Sequence, residues 1–315
     1  MNRIVFGPVP SRRLGQSLGI NNIPYKNCSY SCLYCQVGIT KNPSVERKAF
    51  YPPERIAAET GEILGKLKGR GEKVDFLTFV PDGEPTLDVN IGKEIRSLKD
   101  FGIKVAVITN ASLLWKEDVR EDLMEADLVS AKVDAVEPAI WKKINRPAEE
   151  LDYGVILKGI EKFCGEFGGT LLTETLLIRD INDSEEEVRG VARFISRLKP
   201  SVAFVGIPTR PPAEKWVLPP DPEFVNRAYL IFMENGLNTE LILGGGGEAS
   251  FGYTGDIEGD LLNIISVHPM SGKQVEEFLK KAGGGWSSVE NLLKEKKARE
   301  IEYAGQKYYL RDFTH

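Results

Sequence analysis

The sequence predicts an α/β protein, a full or partial β/α barrel followed by a small helical module with a terminal hairpin. Three observations carry that reading. Short apolar runs alternate with longer amphipathic segments from about residue 74 to 243. A glycine run, Gly244–Gly247 followed by Glu248, then breaks the pattern. Beyond it the tail is helix-rich and ends in a short alternating pair around Gly305.

The elements follow in order. One strand is expected before residue 28, in the extended-looking stretch Leu18–Asn27. Further strands are expected at Val74–Val80, Lys104–Ile108, Leu128–Val133, Thr170–Leu177, Val202–Ile207 and Thr239–Leu243. Between them, Pro53–Lys68 reads as a helix, with Pro at a first-turn position where its missing N–H costs nothing. The same pattern predicts helices at Ile91–Phe101, Lys116–Glu125, Pro138–Ile144, Tyr153–Phe167, Ser184–Leu198 and Pro222–Asn235. Ser184 and Glu187 have the spacing of a capping box. Strand–helix–strand alternation implies parallel strands with crossover helices. The pattern alone leaves an open doubly wound sheet as the alternative to a barrel. In the tail, helices are expected at Asp260–Val267, Ser271–Ala282 and Trp286–Lys297, with a hairpin over Ile301–Leu310. Three helices and a hairpin suit a winged-helix module. The expected division is therefore a barrel domain over 1–243, a glycine-rich linker over 244–259 and the module over 260–315.

Composition narrows the function classes. In 315 residues, 41 Lys+Arg face 46 Asp+Glu, a net charge of −5, which disfavours a protein that mainly coats nucleic acid. A hydrophobic share of 42% and a charged share of 28% are those of an ordinary globular chain. No run of roughly 18 apolar residues is present, so no spanning helix is expected. The N-terminus does not read as a secretory signal, and a cytoplasmic location is expected.

Cysteine is scarce but clustered. Cys28-Ser-Tyr-Ser-Cys32-Leu-Tyr-Cys35 has a CxxxCxxC spacing, while Cys164 lies far away at a helix end among apolar neighbours, where a buried, indifferent thiol is expected. Three thiolates from one tight loop can hold an iron–sulfur cluster or zinc. Structural zinc normally takes four ligands, and the only histidines, His268 and His315, sit in the tail. The spacing favours a cluster with one iron left open.

With Tyr34 just before the third cysteine, this motif resembles the signature of the radical SAM superfamily, over roughly residues 1–240. The resemblance implies a partial barrel of radical SAM type. It implies that Cys28, Cys32 and Cys35 ligate a 4Fe–4S cluster whose open iron takes S-adenosylmethionine, and that an electron from a flavodoxin- or ferredoxin-type donor cleaves the sulfonium to a 5′-deoxyadenosyl radical. Phe79-Val-Pro-Asp-Gly83-Glu84-Pro85-Thr86 is similar to the family's GGE-type motif, so Gly83 and Glu84 are implied to receive the methionyl ammonium. Asn110, ending Ile108-Thr-Asn, matches another motif. Strand period places Ser130, Lys132 and Asp134 on one face. By resemblance Ser130 and Asp134 face the ribose and Lys132 the methionyl carboxylate, with Arg179 a second carboxylate candidate. Gly7–Gly15, Gly83–Leu87 and Pro208–Pro212 look closest to the subgroup called wyosine-synthase-like. The chain has no spare N-terminal cysteines for the second cluster implied for the enzyme that names it, so the subgroup's substrate stays unassigned here.

Other residues admit plain and functional readings. Arg12 and Arg13 suit a substrate phosphate or carboxylate, or structural ion pairs. Glu174, a carboxylate in an apolar strand, must be paired and is read as a barrel-interior contact. His268 reads as a cap or packing residue, and Trp286, Tyr303, Tyr308 and Tyr309 as the module's core. Lys294, Lys296, Lys297 and Arg299 form a basic run where a recognition helix would end, though residues 256–312 hold nine basic against ten acidic residues. The leading substrate class is RNA (tRNA), the alternative a peptide or protein. The reading from a different class is a non-catalytic zinc-binding adaptor.

Overall fold

The computed structural model describes residues 3–243 and 251–312. Gly244–Gly247, Glu248 and His315 lie outside the described residues. Eight strands form one sheet in strictly sequential order: β1 (Val5–Ser11), β2 (Gly15–Ile20), β3 (Phe76–Phe79), β4 (Lys104–Thr109), β5 (Leu128–Lys132), β6 (Thr170–Leu176), β7 (Val202–Gly206) and β8 (Thr239–Ile242). β1 runs antiparallel to β2, and every later pair is parallel. A doubly wound sheet would reverse its strand order part-way; this one never does. It is a curled half-barrel.

Period-2 alternation divides each strand between two cores. Leu14, Ala106, Leu128, Leu172 and Phe204 meet inside the curl. Val105, Val107, Val129, Ala131, Leu171, Ala203 and Val205 face the helices, as part of the main core. Those helices are α1 (Pro53–Gly69), α2 (Ile91–Lys99), α3 (Glu117–Leu123), α4 (Pro138–Asn145), α5 (Tyr153–Glu166), α6 (Glu185–Leu198) and α7 (Pro222–Glu234).

β1 had no sequence signal because glycine and two prolines interrupt it. An edge position tolerates them, and the ladder with β2 slips between Phe6 and Val9. The capping box at Ser184 is only half realised. Ser184 Oγ accepts the Glu187 N–H at 3.3 Å, but the Glu187 carboxylate turns to the Val136 and Glu137 N–H groups, at 2.6 and 3.2 Å, and fixes the start of α4.

The tail has α8 (Ile257–Val267), β9 (Met270–Ser271), α9 (Gly272–Ala282), α10 (Ser287–Lys294), β10 (Ala298–Tyr303) and β11 (Gln306–Arg311), with its small sheet ordered β10–β11–β9. A full capping box starts α9, from Ser271 and Gln274. Ala304 and Gly305 both have positive φ, the requirement of a two-residue type I′ hairpin.

The module is not self-contained. Its core takes in Phe6 and Val9 of β1, and Phe251, at 1% exposure, belongs to that core although the sequence reading assigned it to the linker. Trp286 meets Tyr309 edge-on at 5.6 Å, as a module core would. Tyr303 and Tyr308 depart from that expectation: their hydroxyls donate to the Pro208 and Thr209 carbonyls of the barrel, both at 3.2 Å.

Candidate active site at the barrel mouth

The loop after β2 carries the three cysteines and is fastened on two sides by backbone hydrogen bonds. Toward β3, Lys26 N donates to Asp82 O at 3.0 Å and Glu84 N to Asn27 O at 2.9 Å. Gly83 permits that approach, because a Cβ there would sit 1.9 Å from Asn27 O. Toward the end of α4, Ser31 N and Leu33 N each donate at 2.9 Å, to Asn145 O and Ile144 O. Short local bonds, Cys35 N to Cys32 O and Gly38 N to Cys35 O, curl the loop between.

All three thiols are free and half-buried. Burial pushes the Cys32 thiol up to about 12 and Cys28 higher still. What separates these thiols from a lone buried cysteine is their company, since Lys26, Asn110 and Asn145 each bring a side-chain N–H to one of them. Cys164 is also free, and burial pushes it up to about 12, the state of an inert structural thiol.

Glu84 is the hub of the adjacent wall. At 2% exposure its Oε1 accepts from Thr86 N, Thr86 Oγ1 and Thr109 Oγ1, and its Oε2 from Asn110 N at 2.8 Å. Burial raises its carboxyl despite those four donors. Oε2 keeps a lone pair for one more donor. Asn110 Nδ2 in turn reaches Ser29 Oγ at 3.0 Å.

On β5, Ser130 is 1% exposed, and its Oγ has no hydrogen-bond partner among the described residues. Lys132 Nζ lies 3.2 Å from Glu174 Oε1 and 4.7 Å above the Tyr34 ring. Burial opposes the lysine's charge, but Glu174 and Asp134 raise its pKa overall. Arg13 pairs with the other oxygen of Glu174. Burial would raise this carboxyl, yet Arg13 and Lys132 hold it down at about 2. Asp134 is buried and turned inward: its Oδ2 accepts from Tyr34 Oη and from Asn145 Nδ2, its Oδ1 from Leu176 N. Asn110, Lys132, Asp134 and Asn145 line one small cavity with Tyr30 and Trp141.

The outlying candidates separate. Arg12 is exposed beside Arg13. Arg179 does not join the group: its guanidinium donates to Pro219 O at 3.0 Å and Asp221 Oδ1 at 2.8 Å at the surface.

Four residues escaped the sequence reading. Lys26 and Asn145 reach the thiols. Gln36, next to Cys35, donates to Val267 O at 2.9 Å and accepts from Arg210 Nη1 at 3.0 Å. Arg210 Nη2 lies 2.9 Å from His268 Nε2, tying the tail to the cysteine loop. Pro208-Thr-Arg-Pro-Pro212 was singled out only as a motif, and nothing local links its arginine to residue 268. Burial first, then Arg210, lowers the His268 pKa far below normal, so the neutral ring accepts from the guanidinium. The His268 backbone N–H also closes α8 onto Ile264 O, the capping and packing role expected of it.

A family model described as the radical SAM superfamily matches residues 22–194, more than half of the chain. The chain belongs to the radical SAM superfamily. It is therefore an enzyme whose cofactors are a 4Fe–4S cluster and S-adenosylmethionine and which needs a reductant; the adaptor reading is withdrawn. It is 45% identical over 310 residues to a UPF0026 protein of Methanocaldococcus jannaschii, covering 98% of this chain and 96% of that one. It is 24% identical over 220 residues to a probable dual-specificity RNA methyltransferase RlmN of Thermotoga neapolitana, covering 68% and 61%. A radical SAM methyltransferase from Sphaerobacter thermophilus superposes with a TM-score of 0.56 at 16% identity, over 73% of this chain and 67% of that one, a likeness of fold. No helix among the described residues is long and apolar enough to cross a membrane.

Proposed function

We propose that Cys28, Cys32 and Cys35 ligate three irons of the cluster and that the chain modifies RNA, tRNA in particular. The observation that carries the ligation is the convergence, beside three free thiols of one loop, of a carboxylate with one open lone pair (Glu84), an orphaned buried hydroxyl (Ser130) and a caged ammonium (Lys132). Those are the complements of an amino group, a ribose hydroxyl and a carboxylate, so the residues fit S-adenosylmethionine. When bound, the cluster and S-adenosylmethionine supply a one-electron cleavage that yields a hydrogen-abstracting radical.

The protein's own contribution is placement. Gly83 lets the β3 loop close against the cysteine loop. Glu84 and Asn110 orient the amino end, and Lys132, steadied by Glu174 and Arg13, faces the carboxylate. Tyr34 and Asp134 brace the wall between them. Arg13 and Glu174 also reach the mouth where substrate enters, with exposed Arg12 at its rim; Arg179 is left to the surface.

The RNA reading rests on the tail. Its element order, helix–strand–helix–helix–strand–strand, with the first strand paired to the last, is that of a winged helix, and we assign it as one. Lys294, Lys296, Lys297 and Arg299 are all exposed at the end of α10 and the start of the wing. The distant similarity to an RNA methyltransferase points the same way. The wyosine-synthase-like subgroup, a flavodoxin- or ferredoxin-type donor and a cytoplasmic site belong to the same proposal; peptide modification is the competing outcome. Nucleoside profiling of tRNA from a deletion strain tests it. One modified nucleoside should disappear and return on complementation, and an unchanged profile would remove RNA as the substrate.

A further inference from the structure

Each of the three thiols faces one side-chain N–H donor, and these donors come from three separate parts of the chain; Cys28 also receives the backbone N–H of Tyr30. Asn110, after β4, places Nδ2 3.6 Å from Cys28 Sγ. Asn145, the last residue of α4, places Nδ2 3.3 Å from Cys32 Sγ. Lys26, in the cysteine loop, places Nζ 3.4 Å from Cys35 Sγ.

None depends on sulfur for its position. The Asn110 amide also donates to Ser29 Oγ and accepts from Ser112 N, at 3.0 and 2.9 Å. Asn145 is held by Asp134 Oδ2 at 3.1 Å, and Lys26 by Gly38 O at 2.6 Å. The donors are therefore fixed before any cluster arrives.

Adding an electron to a thiolate-ligated cluster increases negative charge on its sulfurs. An N–H dipole or an ammonium aimed at sulfur stabilises the reduced form, and the potential rises. Resting on the ligation proposed above, we infer that Lys26, Asn110 and Asn145, one side-chain N–H donor per cysteine, set the cluster's reduction potential so that a cellular reductant can reach it. They are positioning residues. Asn145 belongs to α4, so the same helix end that pins the loop backbone also tunes its sulfur.

The test is a potentiometric titration of the full chain, reconstituted anaerobically without S-adenosylmethionine and followed by electron paramagnetic resonance of the reduced cluster. Asn145→Leu and Lys26→Met should each keep the wild-type iron and sulfide content. Each should disfavour reduction about tenfold, a 59 mV fall for one electron. The double variant should fall by about the sum, because the two act on different sulfurs. Lys26→Gln, which keeps an N–H donor without the charge, should fall by less. Potentials within about 28 mV of wild type in both single variants, less than a threefold change in the reduction equilibrium, would overturn the inference. So would loss of the cluster from both, since the donors would then build the site and not tune it; if one variant loses iron, the other decides. Wild-type chain that binds no 4Fe–4S cluster would instead overturn the ligation reading itself.

Discussion

Single side chains at this site do two jobs, and Glu84 shows how they combine. Its carboxylate satisfies four donors from three neighbouring residues in a place with almost no solvent. Glu84→Gln keeps the shape but turns an N–H toward the Asn110 N–H, leaving that donor unpaired. Such a loss costs about 1–3 kcal/mol. The melting temperature should drop accordingly, and S-adenosylmethionine binding measured by equilibrium dialysis should weaken at least tenfold. A variant that melts and binds as wild type would show that Glu84 fills space only. Gly83 needs no such dual role. Its missing Cβ is required by the approach of the two loops, since any side chain would collide with Asn27 O.

At the scale of elements, α2 carries a buried acid that titrates far from its usual range. Glu94 is fully buried, and burial together with the neighbouring Asp88 pushes its carboxyl up to about 9. Asn22 Nδ2 donates to it at 3.0 Å. A folded pKa raised above the unfolded value, ~4.3, contributes stability that is complete below that value and declines as pH rises toward about 9. Glu94→Gln keeps a donor toward Asp88 and removes the titration. Its melting temperature should exceed wild type at pH 8 and match it at pH 4. An equal difference at both values would place the effect in packing.

Across the whole molecule, the mouth and the tail are joined by Gln36, Arg210 and His268. His268 is neutral in the fold, so its folded pKa lies below the unfolded value, ~6.5. The stability it contributes is full above that pH and is lost as pH falls below it. Protonation would set an imidazolium against Arg210, beside Phe251 packed edge-on at 5.5 Å. Hydrogen exchange over α8 and around residue 36 should therefore quicken between pH 7 and 5.5 after correction for intrinsic rates. His268→Gln, a neutral acceptor, should flatten that dependence. Unchanged protection at pH 5.5 in the native chain would disconnect the histidine from docking. The stability from pairing Glu174 with Arg13 and Lys132 is full above the ordinary carboxylate range and is lost as pH falls from there toward about 2, below the pH 7 to 5.5 window.

The same scale shows which features the sequence could reveal. β3 through β8 were legible because their apolar runs need no partner to be recognised; β2 (Gly15–Ile20) overlaps only the start of the extended stretch expected at Leu18–Asn27, because its glycines and polar residues give it no such run. β1 was not, because Gly7, Pro8 and Pro10 are strand breakers that only an edge with a slipped ladder accepts. The cysteines, Glu84, Asn110 and Lys132 were legible as motifs with a resemblance behind them. Lys26 and Asn145 were not, because their role depends on three chain segments meeting at one loop. The docking of Tyr303 and Tyr308 on barrel carbonyls was hidden for the same reason.

The most direct measurement is 5′-deoxyadenosine released by anaerobically reconstituted, reduced enzyme given S-adenosylmethionine alone. Wild type should release it, and Cys35→Ala should release none while retaining the native circular dichroism spectrum. Wild-type enzyme carrying an intact cluster and releasing no 5′-deoxyadenosine would contradict the placement of the cofactors at this mouth.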